Sequence, residues 1–154
     1  MGEHARIIIV DDDEGIRETL AAILQEEGYQ VETADCGKEA IGKTSAKFYN
    51  LALIDIRLPD MEGIELLKKI KETVPKVRKI IITGFPTIQN AIQAVNSGAD
   101  AYLLKPFDME KVLKIIKVEL EKQREEKAYS QEKVTEFIET RVKELEKGEM
   151  VTHE

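Results

Sequence analysis

The residues of this chain that could do chemistry are acidic, hydroxyl and amino side chains at the ends of short apolar runs. Asp11 and Asp12 follow the first run, Asp55 follows the third, Thr83 closes the fourth and Lys105 follows the fifth. Apolar runs of this length are typical of buried strands. In open parallel sheets, sites form outside the carboxyl ends of the strands. The pattern therefore predicts one polar site at that edge.

The acidic members of this group favour a magnesium site. In a sheet of order 2-1-3-4-5 the first and third strands are neighbours, ~5 Å apart, so Asp12 and Asp55 would lie close together. Neighbouring carboxylates repel each other, and burial raises the cost. Magnesium relieves that repulsion and prefers oxygen ligands, so the backbone carbonyl of Arg57 is a candidate third protein ligand.

The remaining members suit phosphoryl transfer. A carboxylate such as Asp55 can act as a nucleophile in forming an aspartyl phosphate. The transfer requires in-line positioning and neutralisation of the phosphoryl oxygens. Lys105 can supply positive charge beside magnesium, and the Thr83 hydroxyl can donate a hydrogen bond. Asp13 suits a helix N-cap instead.

These side chains need a doubly wound α/β scaffold to meet. Five apolar runs alternate with five segments of helical spacing, which predicts a five-stranded parallel sheet covered by helices over about residues 5–120. The third helix is expected over residues 64–73, and in the fourth helix the spacing is carried by Ile88, Ala91, Ile92 and Val95. Asp108 is expected to cap the fifth helix, which is expected to leave the domain or fray beyond Leu120.

The remainder of the chain forms a C-terminal extension. Residues 121–147 are expected to be a helical linker or coiled coil, with an apolar stripe beginning at Val134, and residues 148–154 a flexible tail. Two or three apolar turns leave three alternatives open: a solvated helix, a dimerisation or docking helix, and disorder.

Composition narrows the class of protein. The 154 residues are 34% charged with a formal net charge of −7, which disfavours non-specific binding to nucleic acid. The single cysteine, Cys36, cannot form an internal disulfide, which fits a cytoplasmic protein. The apolar run Ile7–Val10 is too short for a signal peptide or membrane span.

Four segments together resemble the receiver domains of two-component response regulators, the CheY-like superfamily. They are IIIVDDDEGIR (Ile7–Arg17), LALIDIRLPDMEG (Leu51–Gly63), IIITG (Ile80–Gly84) and GADAYLLKPF (Gly98–Phe107). They fall in the family's order and at its usual separations, across about residues 5–120.

The resemblance implies a role for each site residue. Asp55 would be the phosphoacceptor, Asp12 a direct magnesium ligand, and Asp11 a ligand mainly through water. Thr83 and Lys105 would contact the phosphoryl group, and the Lys105–Pro106 bond would be cis. Arg57 and Phe85 occupy positions that tune the lifetime of the acyl phosphate.

The resemblance also implies partners and a mode of signalling. The phosphodonor would be a phosphohistidine on a sensor histidine kinase. Movement of Thr83 would let Tyr102 rotate, reshaping the face made by the fourth helix, fifth strand and fifth helix. A homodimer would form through that face or through the C-terminal helix. The only chemistry would be the chain's own phosphorylation and dephosphorylation.

Two other classes share parts of the pattern. A haloacid-dehalogenase-like phosphatase also uses an aspartyl nucleophile, and Asp11 and Asp13 have its Asp-x-Asp spacing, but no cap-sized insertion follows. A flavodoxin requires a hydroxyl- or glycine-rich loop after the first strand, where three aspartates would repel phosphate.

Overall fold

A computed structural model describes residues 5–148 of the chain. Five parallel strands form one sheet in the order β2-β1-β3-β4-β5, as predicted. The strands are β1 (Arg6–Val10), β2 (Gln30–Ala34), β3 (Leu51–Asp55), β4 (Arg78–Thr83) and β5 (Ala101–Leu104). The α/β fold class and the C-terminal helix predicted from the sequence are confirmed.

Five helices alternate with the strands. They are α1 (Glu14–Glu26), α2 (Gly37–Ala46), α3 (Gly63–Lys69), α4 (Ile88–Asn96) and α5 (Met109–Gly148). Two predicted caps are present: Asp13 Oδ1 accepts from the Ile16 N–H at 3.1 Å, and Asp108 Oδ1 accepts from the Glu110 N–H at 2.8 Å. These caps satisfy amide groups that have no partner within their own helix.

The continuous apolar strands are explained by two cores, one on each face of the sheet. All five residues of β3 are buried. Ile8 and Ile54 pack on one face with Leu67 of α3, while Ile9 and Leu53 pack on the other with helices α1 and α5. Because burial on both faces leaves no exposed side, the central strands lack polar alternation.

Two helices differ from the sequence expectation. The pattern predicted α3 as far as Thr73, but it ends at Lys69, because Ile70 adopts an extended backbone that turns its side chain into the core. In α4 the stripe is wrong as a guide to burial: Ile88, Ile92 and Val95 are exposed. The helix packs through small Ala94, which allows close approach to the sheet.

The described residues fall into two compact units. The first ends at Gln123 and contains the sheet, where Val112, Ile116 and Leu120 of α5 are buried. The second begins at Arg124 and is helical to Gly148, so the fraying considered beyond Leu120 is not seen. The rest of the predicted tail, residues 149–154, lies outside the described residues. Across residues 5–148, no helix has the length and apolarity that crossing a bilayer requires.

Candidate functional site

The ends of β1 and β3 bring three carboxylates together. Val10 pairs with Ile54 in the parallel register, so Asp11 and Asp55 occupy neighbouring positions at the sheet edge. Asp11, Asp12 and Asp55 each place one oxygen within 4.8 Å of the others. Asp11 and Asp55 are buried, whereas Asp12 is exposed to solvent. The clustering expected from the strand order is therefore present.

Lys105 extends from the end of β5 into this cluster. Its ammonium Nζ lies 2.9 Å from Asp55 Oδ2 and 3.3 Å from Asp11 Oδ2. Burial pulls the pKa of Lys105 down, but the hydrogen bond to Asp55 and the charge of Asp11 outweigh it and raise the pKa above its usual value. The lysine is thus held charged between two carboxylates. The Lys105–Pro106 bond is cis, as expected.

Asp11 is the most buried carboxylate of the cluster. Burial raises its pKa; the hydrogen bond from the Asp13 N–H lowers it, and the charge of Asp55 raises it further. Arg17 of α1 donates to the Asp11 backbone carbonyl at 2.7 Å. No role for Arg17 was predicted from the sequence. Its position six residues after Asp11, on the first turns of a helix, was the available signal.

The loop from β3 to α3 folds back over the end of its own strand. The Arg57 N–H donates to Asp55 Oδ1 at 3.0 Å, which fixes one carboxylate oxygen. The Gly63 N–H donates to the Ile56 carbonyl at 2.7 Å. A Cβ at Gly63 would collide with the Asp55 backbone carbonyl, so glycine is required for this close approach. The loop therefore holds Arg57 beside the cluster.

Thr83 lies at the end of β4, between the strands that carry Asp55 and Lys105. It is fully buried, and its Oγ1 accepts from the Phe85 N–H at 3.0 Å. That contact leaves the hydroxyl hydrogen for another acceptor. Phe85 is exposed, and the Arg57 guanidinium carbon lies 4.8 Å from its ring centroid. This cation–π pair connects the β3 and β4 loops at the site.

Tyr102 of β5 lies beside Ile81 and packs against the core on the face that α3 and α4 cover. Its hydroxyl is buried, and no group within residues 5–148 hydrogen-bonds to it. Burial raises the pKa of this phenol. A buried polar atom without a partner carries a free-energy penalty. The sequence suggested a switch role for Tyr102, and the missing partner is a property that it could not reveal.

The donor set suits a hard divalent cation. Three carboxylates lie together and one lysine pairs with two of them, so the cluster has excess negative charge in a partly buried setting. Oxygen donors of this kind match magnesium, which binds through a few carboxylates and retains waters. Asp11, Asp12, Asp55 and the Arg57 carbonyl are the groups of this chain that would hold it.

Comparison with known proteins gives one consistent family. Residues 7–117 match the model of the response regulator receiver domain. The transcriptional regulatory protein ZraR of Klebsiella oxytoca is 40% identical over 111 residues, which cover 72% of this chain and 25% of that protein. The chain thus spans about a quarter of the length of such curated relatives.

Solved structures agree in fold. The receiver domain protein (CheY-like) from Methanospirillum hungatei JF-1 has a TM-score of 0.76 and 45% identity, with 79% of this chain and 98% of that chain covered. The beryllofluoride-activated NtrC4 receiver domain dimer has a TM-score of 0.72 and 38% identity, with 77% and 98% covered. With the acidic cluster, the lysine and the parallel sheet in place, this chain belongs to the response regulator receiver domain family of two-component signalling proteins.

Proposed function

We propose that this receiver domain accepts a phosphoryl group on Asp55 in a magnesium-dependent reaction. The observation that carries the proposal is the position of the Asp55 carboxylate. It is buried at the carboxyl end of β3, 2.9 Å from the Lys105 ammonium and within the three-carboxylate cluster. A purely structural ion pair with Lys105 would need only one carboxylate, whereas this cluster contains three.

The proposed donor is a phosphohistidine on a sensor histidine kinase, or a small acyl phosphate in vitro. An Asp55 carboxylate oxygen forms a bond to phosphorus as the phosphorus–nitrogen bond breaks. The electron pair of that bond returns to the imidazole ring, which leaves as neutral histidine after taking a proton from solvent. The Arg57 N–H and the Lys105 ammonium hold the two oxygens of Asp55 in fixed directions during this step.

Magnesium bound by Asp11, Asp12, Asp55 and the Arg57 carbonyl would supply positive charge to the phosphoryl oxygens. The chain's own residues do the remaining work. Lys105 exchanges part of its pairing with Asp55 for a phosphoryl oxygen, and the Thr83 hydroxyl donates to another. Arg57 and Phe85 lie over the loops at the site, where they would limit the access of water to the acyl phosphate.

The switch then couples this local change to the α4–β5–α5 face. Phosphorylation replaces one carboxylate charge by a group of about −2 with three acceptor oxygens, which draws Thr83 and Lys105 toward it. Thr83 of β4 pairs with Leu104 of β5, two residues from Tyr102. Movement of Thr83 would change the space available to Tyr102, whose buried hydroxyl has no partner in the described residues. Tyr102→Ala should then remove the phosphorylation-dependent change at α4.

Intact-mass analysis after incubation with acetyl phosphate tests the proposal. The wild type should gain one phosphoryl group with magnesium and none with a chelator. Asp55→Asn should gain none, whereas Asp35→Asn, a matched change at an exposed aspartate before α2, should behave as wild type. Modification of Asp55→Asn at the wild-type rate would refute the assignment.

The phosphatase alternative requires Asp13 as a general acid–base. The Asp13 carboxylate instead accepts a hydrogen bond from the Ile16 N–H as the cap of α1. That contact favours the receiver function. Multiple turnover of an external phosphoester by the wild type, lost in Asp13→Asn, would favour the phosphatase.

A homodimer is proposed through the α4–β5–α5 face or through residues 124–147. The first surface exposes Ile88, Ile92, Val95 and Leu104. The second exposes a helical stripe that includes Val134, Ile138, Val142 and Leu145. Light scattering before and after phosphorylation distinguishes them: Ile92→Glu should abolish a phosphorylation-dependent dimer, and Ile138→Glu a constitutive one. A monomer in both states would exclude this proposal.

A further inference from the structure

A carboxylate outside the acidic cluster joins the β3–α3 loop to a neighbouring helix. Asp60 Oδ1 accepts from the Gly37 N–H at 2.8 Å, and Asp60 Oδ2 accepts from the Lys38 N–H at 2.9 Å. Both amides belong to the first turn of α2, which has no intrahelical acceptors for them. The Asp60 side chain thus accepts hydrogen bonds from two amides that have no acceptor in their own helix and that lie 22 and 23 residues away in the sequence.

The local cap of α2 is weak, which gives this remote contact more importance. Cys36 is the N-cap residue, and its Sγ accepts from the Glu39 N–H at 3.5 Å, but sulfur is a weak acceptor. The bonds from the Gly37 and Lys38 amides lower the pKa of Asp60, so the carboxylate remains charged at neutral pH. A negative charge at this end of a helix is also favoured by the helix dipole.

Packing at the same point is tight. A Cβ at Gly37 would lie less than 3.0 Å from the Met61 side chain, which would have to shift, so the helix and the loop are in close contact here. Met61 packs against the core, and its carbonyl accepts from the Leu58 N–H at 3.1 Å. The loop is therefore held at its far end by Asp60 and Met61 and at its near end by the Arg57–Asp55 hydrogen bond.

We propose that Asp60 is a positioning residue for the phosphoryl site: by fixing the β3–α3 loop to α2, it holds the Arg57 carbonyl and the Asp55 carboxylate in place for the cation. This inference rests on the proposed function of the site. Asp60 touches neither the cation ligands nor the reacting atoms. Residues that hydrogen-bond directly to metal ligands change metal affinity by about 10- to 100-fold when they are removed, and Asp60, which acts through the loop, should have an effect at the lower end of that range.

Magnesium titration of three variants tests the proposal. In Asp60→Ala, the magnesium dissociation constant from calorimetry should rise roughly 10-fold. The magnesium concentration for half-maximal phosphorylation should rise by the same factor, with the rate at saturating magnesium nearly unchanged. Asp60→Asn keeps one acceptor and should recover part of the affinity. Asp35→Ala is the control, because it also removes one negative charge near the start of α2. The hydrogen bond of Asp35 there is made by its backbone N–H and not by its carboxylate, so this variant should match wild type.

The readouts separate this proposal from the function it rests on. Amide exchange at Gly37 and Lys38 should accelerate in Asp60→Ala while the core strands stay protected, which shows that the variant is folded. Unchanged magnesium affinity in folded Asp60→Ala would overturn the positioning role and leave phosphorylation of Asp55 intact. Weakened affinity in a chain that never accepts phosphate would support positioning and refute the phosphoacceptor. A wild type that binds no magnesium would overturn both.

Discussion

Charged groups are buried at both the amino-terminal edge and the carboxyl-terminal edge of the sheet, but the two edges differ in how these groups are paired. At the amino-terminal edge, Arg78 donates twice to Glu119 Oε1, at 2.9 and 3.1 Å, and pairs with Asp100 at 3.3 Å. Gln123 donates to the Asn50 and Lys76 carbonyls and accepts from the Asn50 amide. Each buried polar side chain at this edge has a specific partner within the domain.

At the carboxyl-terminal edge the charges are unmatched. Three carboxylates lie together, with Lys105 paired to only two of them. Burial and the charge of Asp55 raise the pKa of Asp11, so its ionised form is less favourable here than it is in water. The comparison teaches that the buried charges at one edge are paired within the fold, whereas at the other edge the carboxylates leave an excess of negative charge that a divalent cation would neutralise.

Removing one partner of the buried ion pair at the amino-terminal edge should give the largest loss of stability. Glu119→Ala leaves the Arg78 guanidinium, 14% exposed, without its main partner, so the free energy of unfolding should fall by about 3 kcal/mol. Urea denaturation measures this change. Glu119→Gln, which keeps an acceptor for Arg78, should lose less. The loss of stability should be the same with magnesium and with a chelator. If magnesium restored the stability of Glu119→Ala, the two edges would not be independent.

Magnesium binding at the carboxyl-terminal edge should stabilise the wild type. Magnesium at about 100 times its dissociation constant should raise the free energy of unfolding by about 2.7 kcal/mol, because the ion binds only the folded cluster. Paired urea melts in magnesium and in chelator measure the gain. Asp12→Asn removes a ligand and should show a smaller gain at the same magnesium concentration. An equal gain in both proteins would mean that the ion binds elsewhere.

The sequence predicted the sheet and the site because both depend on strong local signals. Continuous apolar runs imply buried parallel strands, and the polar residues at their ends must then meet at one edge. The sequence did not predict the roles of Asp60 or Arg17, since their hydrogen-bond partners depend on loop and helix geometry. The exposed stripe of α4 was also missed: the position of Ile88 in the helical spacing says nothing about which face contacts the sheet.

The smallest expected effect concerns Tyr102, which lies between the two edges on β5. Tyr102→Phe removes a buried hydroxyl that has no partner among the described residues, so the free energy of unfolding should rise by about 1 kcal/mol. Urea denaturation of the unphosphorylated protein checks this. A loss of stability instead would show that the hydroxyl has a hydrogen-bond partner in solution.

The most direct test of the central claim is to locate the modified carboxylate. Borohydride reduces an acyl phosphate to an alcohol, so a phosphorylated aspartate becomes homoserine. Trypsin releases residues 48–57 as one peptide, FYNLALIDIR, in which Asp55 is the only acidic side chain. After phosphorylation with magnesium and reduction, this peptide should carry homoserine at position 55. Homoserine instead in the separate peptide 7–17, which holds Asp11 and Asp12, would contradict the account.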